Sequence, residues 1–151
     1  MNIDNRFETE VVKKYRASIE KKKISLFLKL LFDKVLALIL LIPLSPIILG
    51  IAIWIKLDSE GPVFYRQERI TTYGRTFRIF KFRTMVKDAD KLGTAVTQQN
   101  DPRISKVGHK LRKLRLDELP QLINVLIGDM SFVGVRPEVA KYVDKYTDEM
   151  N

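Results

Sequence analysis

Residues Val35 to Ile55 run for 21 positions without a charged side chain, and Pro43 and Pro46 interrupt the run near its middle. As one helix this segment would reach about 31 Å, close to the hydrocarbon thickness of a bilayer. Basic residues crowd both flanks: Lys21, Lys22, Lys23, Lys29 and Lys34 precede it, and Lys56, Arg66, Arg69 and Arg75 follow it. Lys and Arg concentrate on the cytoplasmic side of membranes. A segment that enters, turns and leaves by one face satisfies both flanks. The competing reading is a kinked spanning helix, and the charge pattern favours re-entry. Pro46 removes a backbone donor and leaves the Ile42 carbonyl without its helical partner; in lipid such groups must be satisfied, and Ser45 can help by hydrogen-bonding locally to the backbone.

Outside this segment and its amphipathic lead-in, roughly a hundred residues remain, enough for one modest core. The net charge of +9 calls for an anionic partner: lipid head groups, phosphorylated substrates or nucleic acid. Cysteine is absent, which excludes disulfides, zinc fingers and thiolate catalysis, and a single histidine, His109, excludes a histidine-rich metal site. A secretory leader is not expected, because the apolar run starts late and lacks a small-residue cleavage site.

Three regions follow from these patterns. Residues 1–23 read as a polar arm or surface helix, residues 24–57 as an interfacial and re-entrant membrane segment, and residues 58–151 as a cytoplasmic domain. In the lead-in, Asp33 falls four residues after Lys29, so the two can pair on one helix face. Beyond Gly61-Pro62, the stretch Val63–Gln67 is β-prone, and Thr76–Thr84 alternates aromatic and basic residues after a Tyr73-Gly74 turn signal. These predict a hairpin with one basic face. Short helices are expected over Met85–Leu92, Gly108–Leu114 and Leu116–Leu126, then a glycine-containing loop over Ile127–Pro137 and an amphipathic helix over Glu138–Met150.

The sharpest cluster of reactive groups is Leu116-Asp117-Glu118-Leu119-Pro120-Gln121-Leu122. One reading is structural: Asp117 caps a core helix, Glu118 sits in its first turn, and Pro120 is tolerated there. The other is chemical. A carboxylate can attack phosphorus, and an adjacent carboxylate can bind magnesium, a hard, oxygen-seeking ion. Nearby cations would then neutralise a transferring phosphoryl group. Candidates are Lys81 and Arg83; Arg103, Arg112 and Arg115; and Arg136 in the loop Gly134-Val135-Arg136-Pro137. Solvated surface charge competes for each. A nucleic-acid surface over residues 77–83 is the weaker alternative to ordinary core–solvent alternation.

Several ordered motifs together resemble the bacterial sugar transferases, the monotopic phosphoglycosyl transferases that charge a polyprenyl phosphate with a sugar phosphate. They are Phe32-Asp33, Ser45-Pro46, Gly61 to Arg69, Lys81-Phe82-Arg83-Thr84-Met85, Asp101-Pro102-Arg103-Ile104, Leu116 to Leu122, Gly128-Asp129-Met130-Ser131 and Gly134 to Pro137. The likeness covers about residues 27–140. It implies an α+β protein: a re-entrant helix-break-helix, broken at Ser45-Pro46, before a small, mainly helical cytoplasmic domain with a short β-hairpin.

The resemblance further implies that Asp117 attacks the β-phosphate of a nucleotide diphosphate sugar, with uridine expected. Polyprenyl phosphate then takes the sugar phosphate, in the first membrane step of surface polysaccharide or glycoconjugate synthesis. Glu118, with Asp117, would hold Mg2+. Lys81, Arg83, Arg112 and Arg136 match basic positions suited to phosphate, and Asp129 matches an acid without an assigned role. The expected location is the cytoplasmic face of a bacterial inner membrane, among its lipids, with no nucleic-acid partner and with a homodimer compatible. Two departures stand out. Val135 replaces the family's usual proline, and relatives continue past the counterpart of Tyr146 with a Pro-Gly-Ile-Thr-Gly type segment. A C-terminally short member is therefore expected, and an inactive membrane-associated interaction module of the same fold is the alternative.

Overall fold

The structure, a computed structural model, describes residues 22–71, 75–89, 92, 97, 101–135 and 137–139. The N-terminal arm, most of the helix expected over Glu138–Met150, the Tyr73-Gly74 turn and Arg136 lie outside the described residues. In chain order come helix α1 (Lys23–Asp58), strands β1 (Phe64–Ile70) and β2 (Thr76–Phe82), helix α2 (Lys106–Lys113), a 3-10 turn (Leu116–Glu118) and helix α3 (Gln121–Ile127). This is an α+β chain with a two-stranded sheet.

Helix α1 is long and apolar enough to cross a membrane, and only 11% of its most apolar window is buried within the protein. It is helical through Pro43 and Pro46, so one element stands where two helices separated by a break were expected. The local chemistry at the prolines is as anticipated: Ser45 Oγ donates to the Ile42 carbonyl at 2.8 Å, the acceptor that Pro46 leaves unpaired. The Lys29–Asp33 pair also forms, at 3.0 Å.

Both ends of α1 dock on the rest of the chain. Near its start, buried Asp33 accepts from Ser131 Oγ at 2.6 Å, and Lys29 also reaches Ser131. Near its end, Ile51 and Ile55 form the core with Phe82, Val107 and Leu111. Between these anchors, Leu38, Ile39, Ile42, Ile47 and Leu49 are exposed. Exposed apolar surface of this extent marks a site of contact with a membrane or another protein.

The hairpin pairs Phe64 with Phe82, Tyr65 with Lys81, Gln67 with Ile79 and Arg69 with Phe77. Alternation therefore puts Gln67, Arg69, Ile79 and Lys81 on one face, and Phe64, Arg66, Arg78 and Phe82 on the other. The expected single basic face is corrected: bases occupy both. The physical reason is that Phe82 turns into the α1–α2 core while Ile79 is buried on the opposite side.

Other expectations shift as well. Among the described residues the helix predicted from Met85 does not form; Met85 bridges Ile104, Val86 donates to the Arg103 carbonyl, and Asp88 adopts φ 57°. Long-range pairing there outweighs local helical preference. The helix expected over Leu116–Leu126 divides, with a 3-10 turn over Leu116–Glu118 and α3 beginning after Pro120. Glu138 bridges Ile70 rather than opening a helix.

Asn124, within α3, is fully buried and holds α3 to the hairpin. Its Oδ1 accepts from Phe80 N at 2.8 Å and its Nδ2 donates to the Arg78 carbonyl at 3.0 Å. Asn124→Ala strands both backbone groups, so we expect a loss of about 2 kcal/mol. Chemical denaturation of the purified protein would measure it; Asn124→Asp, which keeps the acceptor only, should also be destabilised.

Candidate active site

The carboxylate pair lies in the 3-10 turn between α2 and α3, entered through Arg115 in the left-handed region at φ 57°. A bulky residue there costs on the order of 1 kcal/mol, and such strain persists where the surrounding structure fixes it. Asp117 lies inside the turn, and Pro120 occupies the cap position of α3 without a side-chain bond. The helix-cap reading of Asp117 is thus removed. Its carboxyl lies above the usual aspartate pKa because burial disfavours the charge; Lys81 and Arg112 oppose this, and Glu118 adds to it.

Glu118 Oε1 accepts from Lys81 Nζ at 3.1 Å, both side chains being partly buried. Lys81 reaches the turn from the end of β2, where its partner in register is Tyr65. Arg112 comes from the last turn of α2, and its Nε donates to Thr84 Oγ1 at 2.8 Å. Burial lowers its pKa, and the Asp117 carboxylate counteracts that effect. Asp117, Glu118, Lys81 and Arg112 are therefore one electrostatic unit built from three segments: the 3-10 turn, β2 and α2.

A cleft of about 190 Å³ opens beside this unit, walled by Lys81, Glu118, Gln121, Arg69, Met130 and Ser131, among others. The loop Ile127–Pro137 reaches it from two anchors. Ser131 is held by Asp33 of α1, and the Ile70–Glu138 bridge pins the far end to β1. Gly128, at φ 90°, turns the chain out of α3 to start that loop.

The remaining candidates separate. Arg83 is 7% exposed and donates to the Ser59 and Glu60 carbonyls at 2.7 and 2.6 Å, so it secures the end of α1 and does not line the cleft. Arg103 is clamped by Asp101, at 2.6 Å between Nη2 and Oδ2. Asp129 pairs with Arg75 at 3.3 Å, outside the cleft wall. Arg136 falls outside the described residues, although Gly134, Val135 and Pro137 around it border the cleft. Sequence reasoning gave no role to Arg69, Asn124 or the Asp33–Ser131 contact. Arg69 was reachable from alternation alone, once the hairpin register with Lys81 is written out.

Magnesium has a suitable donor set here. Among the described residues no three His, Cys, Asp or Glu side chains gather into a protein-only cage. Two adjacent carboxylates beside cationic residues match the way this ion is usually held, by one or two carboxylates together with substrate phosphates. Asp117 and Glu118 would hold it, and it would supply charge neutralisation at phosphate oxygens.

An exposed apolar helix is thus anchored beside a cleft at which paired carboxylates meet partly buried cations. The comparisons with known proteins make this specific. The family described as bacterial sugar transferase matches residues 24–151, and the chain belongs to that family. It is 39% identical over 150 residues to a putative undecaprenyl-phosphate N-acetylgalactosaminyl 1-phosphate transferase of Bacillus subtilis, covering 99% of this chain and 83% of that protein. It is 47% identical over 117 residues to the UDP-N-acetylgalactosamine-undecaprenyl-phosphate N-acetylgalactosaminephosphotransferase of Aeromonas hydrophila, covering 77% of this chain and 28% of that one. With the UDP-glucose:undecaprenyl-phosphate glucose-1-phosphate transferase of Escherichia coli it shares 49% identity over 115 residues, 76% of this chain and 25% of the other. The chain thus spans most of the Bacillus relative but under a third of the other two.

Proposed function

We propose that the chain transfers a sugar phosphate from a UDP-sugar to undecaprenyl or a related polyprenyl phosphate through an aspartyl-phosphosugar intermediate. The observation that carries this reading is Asp117, a partly buried carboxylate between the Lys81 and Arg112 cations and next to Glu118. The activities for which the relatives are named supply the substrate classes.

In the first step an Asp117 carboxylate oxygen bonds to the β-phosphorus. The bond from that phosphorus to the bridging oxygen breaks, and its electron pair leaves on the uridine monophosphate. In the second, an oxygen of polyprenyl phosphate bonds to the same phosphorus, and Asp117 leaves as its carboxylate. The product is a polyprenyl diphosphate sugar. Lys81 and Arg112 neutralise charge on the phosphoryl oxygens, where cations count most because the site is partly desolvated. Glu118 keeps Lys81 oriented by their ion pair. Magnesium, when bound, screens the diphosphate.

This function requires a water-soluble nucleotide sugar to meet a lipid phosphate, and α1 serves it by lying in one leaflet at the cytoplasmic face of the inner membrane. Support for re-entry comes from both anchors of α1. Asp33 and Ile55 are 22 residues apart, about 33 Å along a straight helix, yet both pack on the same small domain. Cysteines placed at Lys23 and Lys56 in a membrane-embedded chain should both react with an impermeant reagent from the cytoplasmic side. Labelling from opposite sides would show a crossing and remove re-entry.

The enzymatic reading is tested with membrane preparations, Mg2+, polyprenyl phosphate and a panel of UDP-sugars. Release of uridine monophosphate that depends on the lipid acceptor supports it. No release with any sugar would overturn it.

A further inference from the structure

Arg69 joins Lys81 in the cleft wall, and nothing in the two-step scheme above uses it. Its partners are unusual for a guanidinium in a confined place. Nη2 donates to Gln67 Oε1 at 2.8 Å, Nη1 reaches the Pro137 carbonyl only at 3.4 Å, and Nε is buried without a partner. Both acceptors are neutral, and no carboxylate pairs with Arg69 among the described residues. Buried charges are normally paired, and a stranded buried donor costs free energy. Arg83 also has an orphaned Nε, but its other nitrogens make short bonds to the carbonyls ending α1 and it stands away from the cleft. Arg69 alone of the two faces a space that a ligand can enter.

Its position along the hairpin says which part of a ligand it meets. Arg69 pairs in register with Phe77, and Lys81 lies four residues further on the same face, with Ile79 between them. Their Cα atoms are therefore roughly 13 Å apart along the strand, and both side chains border one cleft. Lys81 marks the reacting end: it is bonded to Glu118, beside Asp117, and is adjacent to Phe82, which packs on α1. Arg69 marks the opposite end, toward the hairpin turn and away from the α1 core contact. The phosphoryl group that Asp117 attacks lies at the Lys81 end, so the phosphate toward Arg69 is the one joined to it in the soluble diphosphate.

We propose that Arg69 binds the α-phosphate of the nucleotide and stabilises the charge that this phosphate gains as uridine monophosphate departs. Lys81 then serves the transferred phosphoryl group and Arg69 the leaving one, so the two cations divide the diphosphate between them. A guanidinium suits this role because its planar fork matches two phosphate oxygens at once. The assignment rests on the transferase reading above.

The test measures binding of uridine monophosphate and of uridine to the full chain in detergent or nanodiscs, for the wild type, Arg69→Gln and Arg69→Lys. Arg69→Gln is expected to weaken uridine monophosphate by about tenfold or more, the scale of a lost charge-assisted hydrogen bond. Uridine, which has no phosphate, should bind it as it binds the wild type. Arg69→Lys should recover part of the loss. If Arg69 only secures Pro137, Arg69→Gln lowers the thermal midpoint while monophosphate affinity stays within twofold, and the proposal is overturned. Should Arg69→Gln fail to fold, Arg69→Lys decides: monophosphate affinity equal to the wild type would also overturn it. A wild type that turns over but is indifferent to residue 69 defeats this assignment alone. A wild type with neither turnover nor nucleotide affinity defeats the transferase reading and takes this assignment with it.

Discussion

Asp117→Asn is expected to reduce uridine monophosphate release on the order of a thousandfold or more, the scale of removing a covalent nucleophile, while leaving the fold intact. The sign of the stability effect follows from the raised pKa of Asp117. The folded chain holds that proton more tightly than the unfolded chain, so protonated Asp117 favours the fold at low pH, and this contribution is lost as pH rises through the shifted value, above which ionised Asp117 weakens the fold. At neutral pH the amide variant should therefore melt at the same temperature as the wild type or higher. Lost activity with preserved melting separates a nucleophile from a structural acid.

Equal release by variant and wild type would sink the nucleophile assignment. The pH profile adds a second reading at fixed Mg2+. Only the carboxylate attacks, so activity falls as pH drops through the Asp117 pKa. Lys81 holds that value down; Lys81→Met should move the acid limb to higher pH, besides lowering the plateau.

Gly108→Ala is expected to destabilise the protein by about 3 kcal/mol or more, the upper end for an overpacked site. A Cβ at Gly108 would overlap the Thr84 carbonyl oxygen and stand 2.9 Å from the Thr84 Cα. Both obstacles are backbone, so no side chain can swing away. The close approach is held by Ser105, whose backbone N donates to Thr84 O at 3.0 Å and whose Oγ caps α2 through Gly108 N. Pushing α2 outward also stretches the Arg112 Nε to Thr84 Oγ1 bond, which aims a cation at Asp117. Activity should fall with stability, even at temperatures where the variant remains folded. Differential scanning fluorimetry and the release assay together measure the two effects. An unchanged melting temperature would mean that α2 does not pack on Thr84 as described.

These two residues show how differently sites are written into a chain. Asp117 and Glu118 were legible because adjacent acids beside a proline and an apolar stripe form a local pattern. Gly108 gave no such signal: its requirement is set by Thr84, 24 residues earlier, and a glycine in a basic helix reads only as a weak helix former. Asn124 is similar. Within a run of apolar residues it looks like a defect, and only β2 alongside turns it into the acceptor for Phe80 and the donor to Arg78.

The basic residues make the same point. Arg69, Arg83, Arg103 and Arg112 are chemically alike in one dimension, and spacing alone assigns none of them. In the fold Arg83 closes the end of α1, Arg103 is clamped by Asp101, Arg112 turns to Asp117, and Arg69 faces the cleft.

Composition and local order were sufficient for the apolar segment, the Ser45 bond to the backbone, the Lys29–Asp33 pair and the hairpin. Each depends on residues close in sequence, where helical or strand periodicity fixes geometry. Hairpin facing, the division of the helix at Pro120, the hold of Asp33 on Ser131 and the identity of the cations at the cleft depended on the fold. They arise from contacts between distant segments, and the free energy of such contacts exceeds the preferences that a short stretch of chain can express.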